Sequence, residues 1–305
     1  NMLLHGALRP GDHCLVSAME HNAVMRPLQQ MSQHGVRFER VPCDAEGCLD
    51  LRALERMLRP DTRLVLLCHA SNVSGTVQDA ERAGQVCAVH GVPFALDAAQ
   101  TAGHLPIDFG RLGLAALSVP GHKGLMGPQG IGALILRPDF AAALEPFVSG
   151  GTGSASDSEE QPSYMPDRFE SGTPNVPGIY GWEAALEYLQ GVTVETVAAH
   201  DRVLAEQFLD GLQGVPGVVL YGPRTAAGRV GVFSLDFPGK DNAEAAYRLE
   251  CEYGILTRCG LHCAPSAHKT LGTFPRGSVR LSFGWFTTEE EVGRALEAIA
   301  AVSAG

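Results

Sequence analysis

Along the first half of the chain, short aliphatic and β-branched runs alternate with stretches whose apolar positions recur at helical spacing. The runs cover residues 14–17, 36–41, 64–68, 93–96, 115–119 and 131–136, each of strand length and most bounded by turn-forming residues. Between them Leu51, Leu54, Met57 and Leu58 share a helical face, and residues 80–90 read as a further helix. This alternation predicts a mainly parallel sheet covered by helices. Strands that are apolar throughout predict burial on both faces.

From residue 149 to 177 the composition shifts to Gly, Ser, Pro and acidic residues, opening on Gly150-Gly151-Thr152-Gly153-Ser154. A loop of this length inside a compact domain is usually functional or disordered. Ile179, Trp182, Leu186 and Leu189 then mark a helix, and residues 194–212 another. The remainder reads as a smaller α+β unit with strands over 218–221, 230–236, 255–258 and 278–281 and a closing helix carrying Val292, Leu296 and Ile299. The expected organisation is a large domain over residues 1–213 and a small C-terminal domain over 214–305, with no internal repeat.

A chain of 305 residues with 45% hydrophobic content can bury a sizeable core. Its net charge of -11 argues against a nucleic-acid surface, since no basic stripe is present to neutralise phosphates. No apolar run approaches a membrane span, and the first residues carry neither a basic flank nor a cleavable signal pattern. The expected compartment is the cytosol. The chain opens on Asn1 and enters an apolar segment at once, which predicts that a natural N-terminal part is missing. Eight cysteines are scattered, several within apolar runs, and buried free thiols are expected rather than disulfides. Cys259, His262 and Cys263 lack a further Cys/His pair nearby, so no zinc site is expected.

In a parallel α/β sheet, ligands bind outside the carboxyl ends of the strands. There Asn72 follows the third predicted strand, Asp97 and Gln100 the fourth, and His122 and Lys123 the fifth. A carboxylate facing a pyridine nitrogen keeps that nitrogen protonated and makes the ring an electron sink, a role that suits Asp97. Lys123 suits a Schiff-base amine whose pKa is lowered by burial or nearby positive charge. His21, after the first strand, suits stacking on a ring. Taken singly, each has a plainer reading: Asp97 as a helix cap, His122-Lys123 as a solvated turn, His21 as a residue preceding a helix. Jointly, those readings need several coincidences.

Six ordered segments carry a resemblance over nearly the whole chain. They are Glu20-His21-Asn22-Ala23, residues 69–75, Asp97-Ala98-Ala99-Gln100, Gly121-His122-Lys123-Gly124, residues 169–174, and residues 258–265 with Leu261-His262-Cys263-Ala264 at their centre. The chain resembles the class V aminotransferase group of pyridoxal phosphate (PLP) enzymes of fold type I. Within it, the chain looks most like cysteine desulfurases and selenocysteine lyases of the Leu-His-Cys-Ala type.

The resemblance implies PLP as cofactor, with Lys123 as its Schiff-base lysine, His122 near the substrate amine and Asp97 on the pyridine nitrogen. Gln100 would bond the phenolate oxygen, His21 would stack on the ring, and Asn72 would lie between the phenolate edge and the substrate carboxylate. Arg280 would clamp that carboxylate through its fork, with Arg258 assisting. Thr173 would reach the phosphate in a partner subunit, making a homodimer with a shared site. Cys263 would receive sulfur from L-cysteine or selenium from L-selenocysteine, leaving alanine, and pass it to an acceptor protein. Its plainer reading is a structural thiol; Arg258 and His262 are the neighbours expected to activate it. Pro120 departs from the family pattern, which places a hydroxyl there for the phosphate, and Ser118 is not an assured replacement. The family's Gly/Thr-rich phosphate turn lies upstream of the segment that Asn1-Met2-Leu3-Leu4 resembles. The rivals are an aminotransferase, epimerase or β-lyase of the same fold, for which Cys263 is dispensable, and a non-catalytic member or truncated fragment acting as a binding or dimerisation module.

Overall fold

The computed structural model describes residues 1–305. Helix α1 (Met2–Ala7) precedes a first sheet of β1 (His13–Ser17), β2 (Arg37–Val41), β3 (Thr62–Cys68), β4 (Phe94–Asp97), β5 (Ala116–Pro120) and β6 (Gly132–Leu136). The spatial order is β2-β1-β3-β4-β5-β6. All pairings are parallel except β5 with β6. The connecting helices are α2 (Asn22–Ser32), α3 (Leu51–Met57) and α4 (Ala80–Val89), with α5 (Pro138–Ala143) after the last strand.

The pleat of β3 shows why its sequence is apolar throughout. Leu64 and Leu66 enter one core with Leu28 and Met31 of α2, while Val65 and Leu67 enter another with Leu54 of α3 and Ala83 of α4. Burial on both faces holds for β1 and for β3 from Leu64 onward, but not at the edges. Arg37, Glu39 and Arg40 of β2 are exposed, as are Gly132 and Ile135 of β6, because an edge strand lacks a neighbour on one side.

Helix α2, which the plainer reading of His21 expects after that residue, carries Pro27 in its middle, where proline removes a hydrogen-bond donor. It forms nonetheless, burying Val24, Met25, Leu28 and Met31 along one face. The imidazole of His21 caps its start, Nδ1 accepting from Ala23 N at 3.0 Å.

After the 144–175 loop come α6 (Val176–Val192), α7 (Val194–Gln213), β7 (Val219–Tyr221), β8 (Val232–Asp236), α8 (Asn242–Tyr253), β9 (Arg258–Gly260), α9 (Pro265–Thr270), β10 (Ser278–Ser282) and α10 (Glu289–Ala304). The second sheet is fully antiparallel, ordered β7-β8-β10-β9. Its core takes Leu204, Phe208 and Leu212 from α7, Leu249 from α8 and Ile299 from α10. The strand expected at 255–258 begins later, at Arg258. Gly254 ends α8 in the left-handed region at φ 69°, and Ile255 N then bonds back to Leu249 O at 2.9 Å, so Ile255 packs into the core instead of pairing.

The loop is anchored by Gln161, whose amide bonds Asp167 O, and by Arg168, which donates to Leu144 O at 2.6 Å; Phe169 is buried in the first core. All eight cysteines are free. Cys14, Cys68 and Cys87 are buried as expected, but Cys43, Cys48 and Cys259 are half-buried and Cys251 is exposed on α8, which corrects the expectation that the set is buried. No helix is long and apolar enough to cross a membrane.

The ring of Phe208 is fully buried, with centroids 4.5 Å from Phe233 and 5.2 Å from Phe283. Phe208→Ala is expected to cost about 3–5 kcal/mol through the lost burial and residual cavity, read as a lower denaturant midpoint for unfolding of this core.

Candidate active site

The parallel register sets Cys68 beside Asp97 and Asp97 beside Ser118, so β3, β4 and β5 end side by side. The segment leaving each strand turns toward a common cavity. His21, Asn72, Asp97, Gln100, His122 and Lys123 all line this space of about 460 Å³. An adjoining cavity of about 640 Å³ shares Gln100 and Lys123 and adds Arg280 with residues 282–287. Lys123 therefore stands at the junction of the two. Cys263, Arg258 and Thr173 are exposed and line neither cavity.

Asp97 spends one oxygen on its own turn, Oδ1 accepting from Ala99 N at 2.9 Å, and its carboxylate is in no ion pair. Lys123 is solvent-accessible yet walled by protein. Loss of hydration draws its amine below the ordinary lysine value, Arg280 adds to this, and Asp97 opposes it. His21 is likewise drawn below its usual value by desolvation, with Asp97 opposing and Lys123 assisting. Because its Nδ1 accepts from Ala23 N, the ring is fixed as the neutral Nε2–H form. Glycine is required on either side of this floor. A Cβ on Gly124 would meet Ala102 O and the His104 ring, and Gly103 at φ 84° packs against Gly124 O.

A planar pyridine fits these residues. The cavity sets an unpaired carboxylate, a half-desolvated amine, an amide and a neutral imidazole around one space, in an otherwise acidic chain. The resemblance expects Asp97 at the ring nitrogen, Gln100 at the phenolate oxygen, His21 on the ring face and Lys123 at the aldehyde carbon, and these four line the one cavity. Pro120 offers the phosphate no donor. Ser118 lies on the same face of β5, two residues back, and its exposed side chain lines the same cavity, so a hydroxyl is present on that wall.

Arg258 and Arg280 sit opposite each other across β9 and β10, and neither is in an ion pair. Directly opposed like charges are unfavourable. Burial and then Arg258 destabilise the Arg280 cation, while Cys263 favours it. Arg280, which shares its cavity with Lys123 and has no carboxylate partner, keeps its fork free for an anionic group.

Cys263 enters through its backbone. His262 and Cys263 both hold positive φ, 49° and 57°, which costs non-glycine residues on the order of 1–3 kcal/mol each. Asn72 Nδ2 donates to His262 O at 2.7 Å, and Asn22 N donates to Cys263 O at 2.8 Å. Arg280 in turn donates to Asn72 O at 3.2 Å, so Asn72 ties the thiol turn to Arg280. Beneath it, Ser234 Oγ donates to Val73 O at 2.7 Å and Ser278 Oγ donates to Ser234 Oγ at 2.9 Å. Ser278 thus accepts from His262 Nε2 at 3.1 Å, leaving His262 neutral with Nδ1 bare and buried. Desolvation, then Arg280 and His268, push His262 down to about 3. An imidazole so depressed holds the turn in place and does not donate charge to the thiol as the sequence reading expected.

Ser234, Ser278 and His104 were not singled out from the sequence. The two serines are buried polar residues inside apolar strands, a pattern that calls for a partner. His104 pairs with Asp201 of α7 at 2.6 Å and backs Gly124.

A mostly parallel sheet delivering a lysine, a carboxylate and an amide from successive strand ends to one cavity defines the fold type I class of PLP-dependent enzymes. The chain belongs to the class-V aminotransferase family, whose sequence model, described as Aminotransferase class-V, matches residues 1–295. It is 33% identical over 293 residues to a probable cysteine desulfurase of Pyrococcus abyssi, covering 95% of this chain and 72% of that protein. The apo structure of a cysteine desulfurase from Thermococcus onnurineus NA1 superposes with a TM-score of 0.90 at 32% identity, over 98% of this chain and 74% of that one. The cysteine desulfurase CsdA of Escherichia coli, in its S-sulfonic acid form, gives 0.86 at 31% identity over 97% and 73%.

Burial also lowers His69 and His268, each from 6.5 to about 4. The folded protein therefore binds fewer protons than the unfolded chain between about pH 4 and 6.5, so this stability is full above 6.5 and falls as pH drops through that window. Glu20, raised by burial from 4.5 to about 7, opposes the trend, since the folded form gains a proton there. The urea midpoint is expected to fall between pH 7 and pH 4.5, and less steeply in His69→Gln. An identical slope in that variant would contradict a buried neutral His69.

Proposed function

We propose that this protein is a PLP-dependent cysteine desulfurase that converts L-cysteine to L-alanine and takes the sulfur onto Cys263. The observation that carries this reading is the Asn72 link, which joins an exposed cysteine turn to Arg280 at the mouth of the Lys123 cavity. A transaminase needs the carboxylate receptor and the lysine; it does not need an exposed thiol bonded to them through one residue.

Arg280, assisted by Arg258, holds the substrate carboxylate and aims the amino group at Lys123 and His122. PLP, when bound, supplies the electron sink that Asp97 maintains by keeping the ring nitrogen protonated. Lys123 Nζ, whose lowered pKa favours the free amine, takes the proton from the substrate Cα and returns it. The Cys263 thiolate attacks the substrate sulfur: an S–S bond forms, the Cβ–S bond breaks, and the electron pair left toward Cβ is protonated to the methyl group of alanine. One thiol and one cysteine thus become one persulfide and one alanine, with no external oxidant.

An exposed apolar set on α6, Ile179, Tyr180, Leu186 and Tyr188, supports a homodimer, as does the exposure of Thr173 on the preceding loop. In that dimer Thr173 reaches the partner's cofactor phosphate.

Cys263→Ser is expected to lower alanine formation from L-cysteine by about two orders of magnitude or more, while the yellow colour of lysine-bound cofactor persists. Lys123→Ala should lose that colour. Undiminished turnover in Cys263→Ser, with pyruvate replacing alanine, would favour the β-lyase rival. A protein that stays colourless with added PLP would favour the non-catalytic one.

A further inference from the structure

Beside the cysteine turn lies a groove of about 540 Å³ formed by α2, the end of β2 and α9. Its walls carry Arg26, Arg40 and Lys269 and no carboxylate. All three cations are exposed and none is in an ion pair. Arg40 and Lys269 instead lie over the rings of Phe38 and Phe274, at 5.3 and 5.0 Å. In a chain of net charge -11 such a gathering of unpaired cations runs against the composition.

The groove also touches the reactive turn. Asn22, which donates to Cys263 O at 2.8 Å, lines it, and so do Pro265 and Ser266. These last two lie within about 11 Å of Cys263 along an extended backbone. The loading cavities are lined by other residues: neither contains Arg26, Arg40 or Lys269. A partner seated in the groove would approach the cysteine without entering the cofactor cavity.

We propose that this groove docks an acidic segment of the protein that removes sulfur from Cys263. The proposal rests on the desulfurase reading above. The cations come from three separate elements instead of converging on one point, which matches carboxylates spaced along a peptide better than a single small anion. Clustered charge of one sign also raises the encounter rate with a partner of the other. In the transfer, a thiolate of the partner bonds to the outer sulfur of the Cys263 persulfide, the S–S bond to Cys263 breaks, and Cys263 leaves as a thiolate. The partner becomes the persulfide, and no net oxidation occurs.

The test uses a short glutamate-rich peptide bearing one cysteine, and a lysine-rich counterpart. With serine replacing the peptide cysteine, fluorescence anisotropy reads binding alone, independent of activity. The wild-type protein should bind the glutamate peptide, more weakly as salt rises, and the lysine peptide should not bind there. Arg26→Glu/Arg40→Glu/Lys269→Glu should weaken glutamate-peptide binding at least about tenfold, with Arg26→Gln/Arg40→Gln/Lys269→Gln intermediate. With the cysteine peptides, sulfur transferred per persulfide loaded should favour the glutamate peptide by a similar factor in wild type and lose that preference in the charge-reversed variant. Glutamate-peptide binding that ignores these substitutions overturns the proposal. So does displacement of the peptide by inorganic phosphate where chloride of equal ionic strength leaves it bound, which would mark a small-anion site. A wild-type protein that binds the peptide through these residues but loads no persulfide would sink the desulfurase reading and leave an acidic-peptide groove standing.

Discussion

The segment from Ser71 to Thr76 is the constraint on which the site depends, because both sheets meet on it. Arg280 donates to Asn72 O, Ser234 to Val73 O and Arg229 to Ser74 O, all from the second unit. Asn72 returns a bond to His262 O, and Thr76 forms an isolated bridge with Arg229. Gly75 at φ 75° lets the carbonyls of Val230 and Val232 come close enough that a Cβ would collide with both. Lys123 and Asp97 belong to one unit, Cys263 and Arg280 to the other. Their separation is set by a short, turn-rich segment whose carbonyls are nearly all claimed, which holds its backbone in one arrangement.

Arg229 shows what that stiffness requires. It is buried with no carboxylate partner, bonding the carbonyls of Pro223, Ser74 and Val232 and lying 4.0 Å from the Phe233 ring. Burial pulls its cation down to about 9, so it is held at a cost in hydration. Around the cavities the unpaired charges are arranged differently. Arg258 and Arg280 face each other unneutralised, Lys123 is half-desolvated, and Asp97 stands without an ion pair. Inside the seam, charge is spent on carbonyls and fixes geometry. At its mouth charge is left unspent, which is the state a site needs if a substrate is to complete it.

The parallel sheet and the cluster of polar strand ends were legible because each is written locally: apolar runs of strand length, each with a polar residue within a few positions of its end. Asn72, Asp97, Gln100, His122 and Lys123 could be read as one group for that reason, and the cavity gathers them with His21. The order of motifs carried the family. Helix α2 was legible only as the helix that His21 precedes and its extent was not, because Pro27 argues locally against a helix whose reason to form is the tertiary burial of Leu28 and Met31. Nor was the role of His262. Its neighbours in sequence suggested an activating group, whereas its fate is decided by Ser278 and Ser234, which arrive from distant strands. Thr173 and Arg258 were legible only through resemblance, and in the single chain they remain exposed.

Which of eight thiols carries chemistry is decided by competition between burial and access. Burial raises Cys14 and Cys68, and the Glu20 carboxyl beside them adds to it, so neither ionises readily. Cys251 is exposed on α8 but borders neither the two cavities at Lys123 nor the cationic groove. Cys263 combines exposure with the nearby Arg280 guanidinium, and it does so in a backbone conformation that a non-glycine residue adopts at a cost. That cost is tolerable because four bonds over-determine the turn: Asn72 to His262 O, Asn22 to Cys263 O, Ala264 N to Leu261 O, and His262 to Ser278. Strain and anchoring together present the thiol outward on a fixed arm between the Lys123 cavity, proposed to load it, and the cationic groove beside it. A relaxed turn would let the sulfur fold toward either and serve neither reliably.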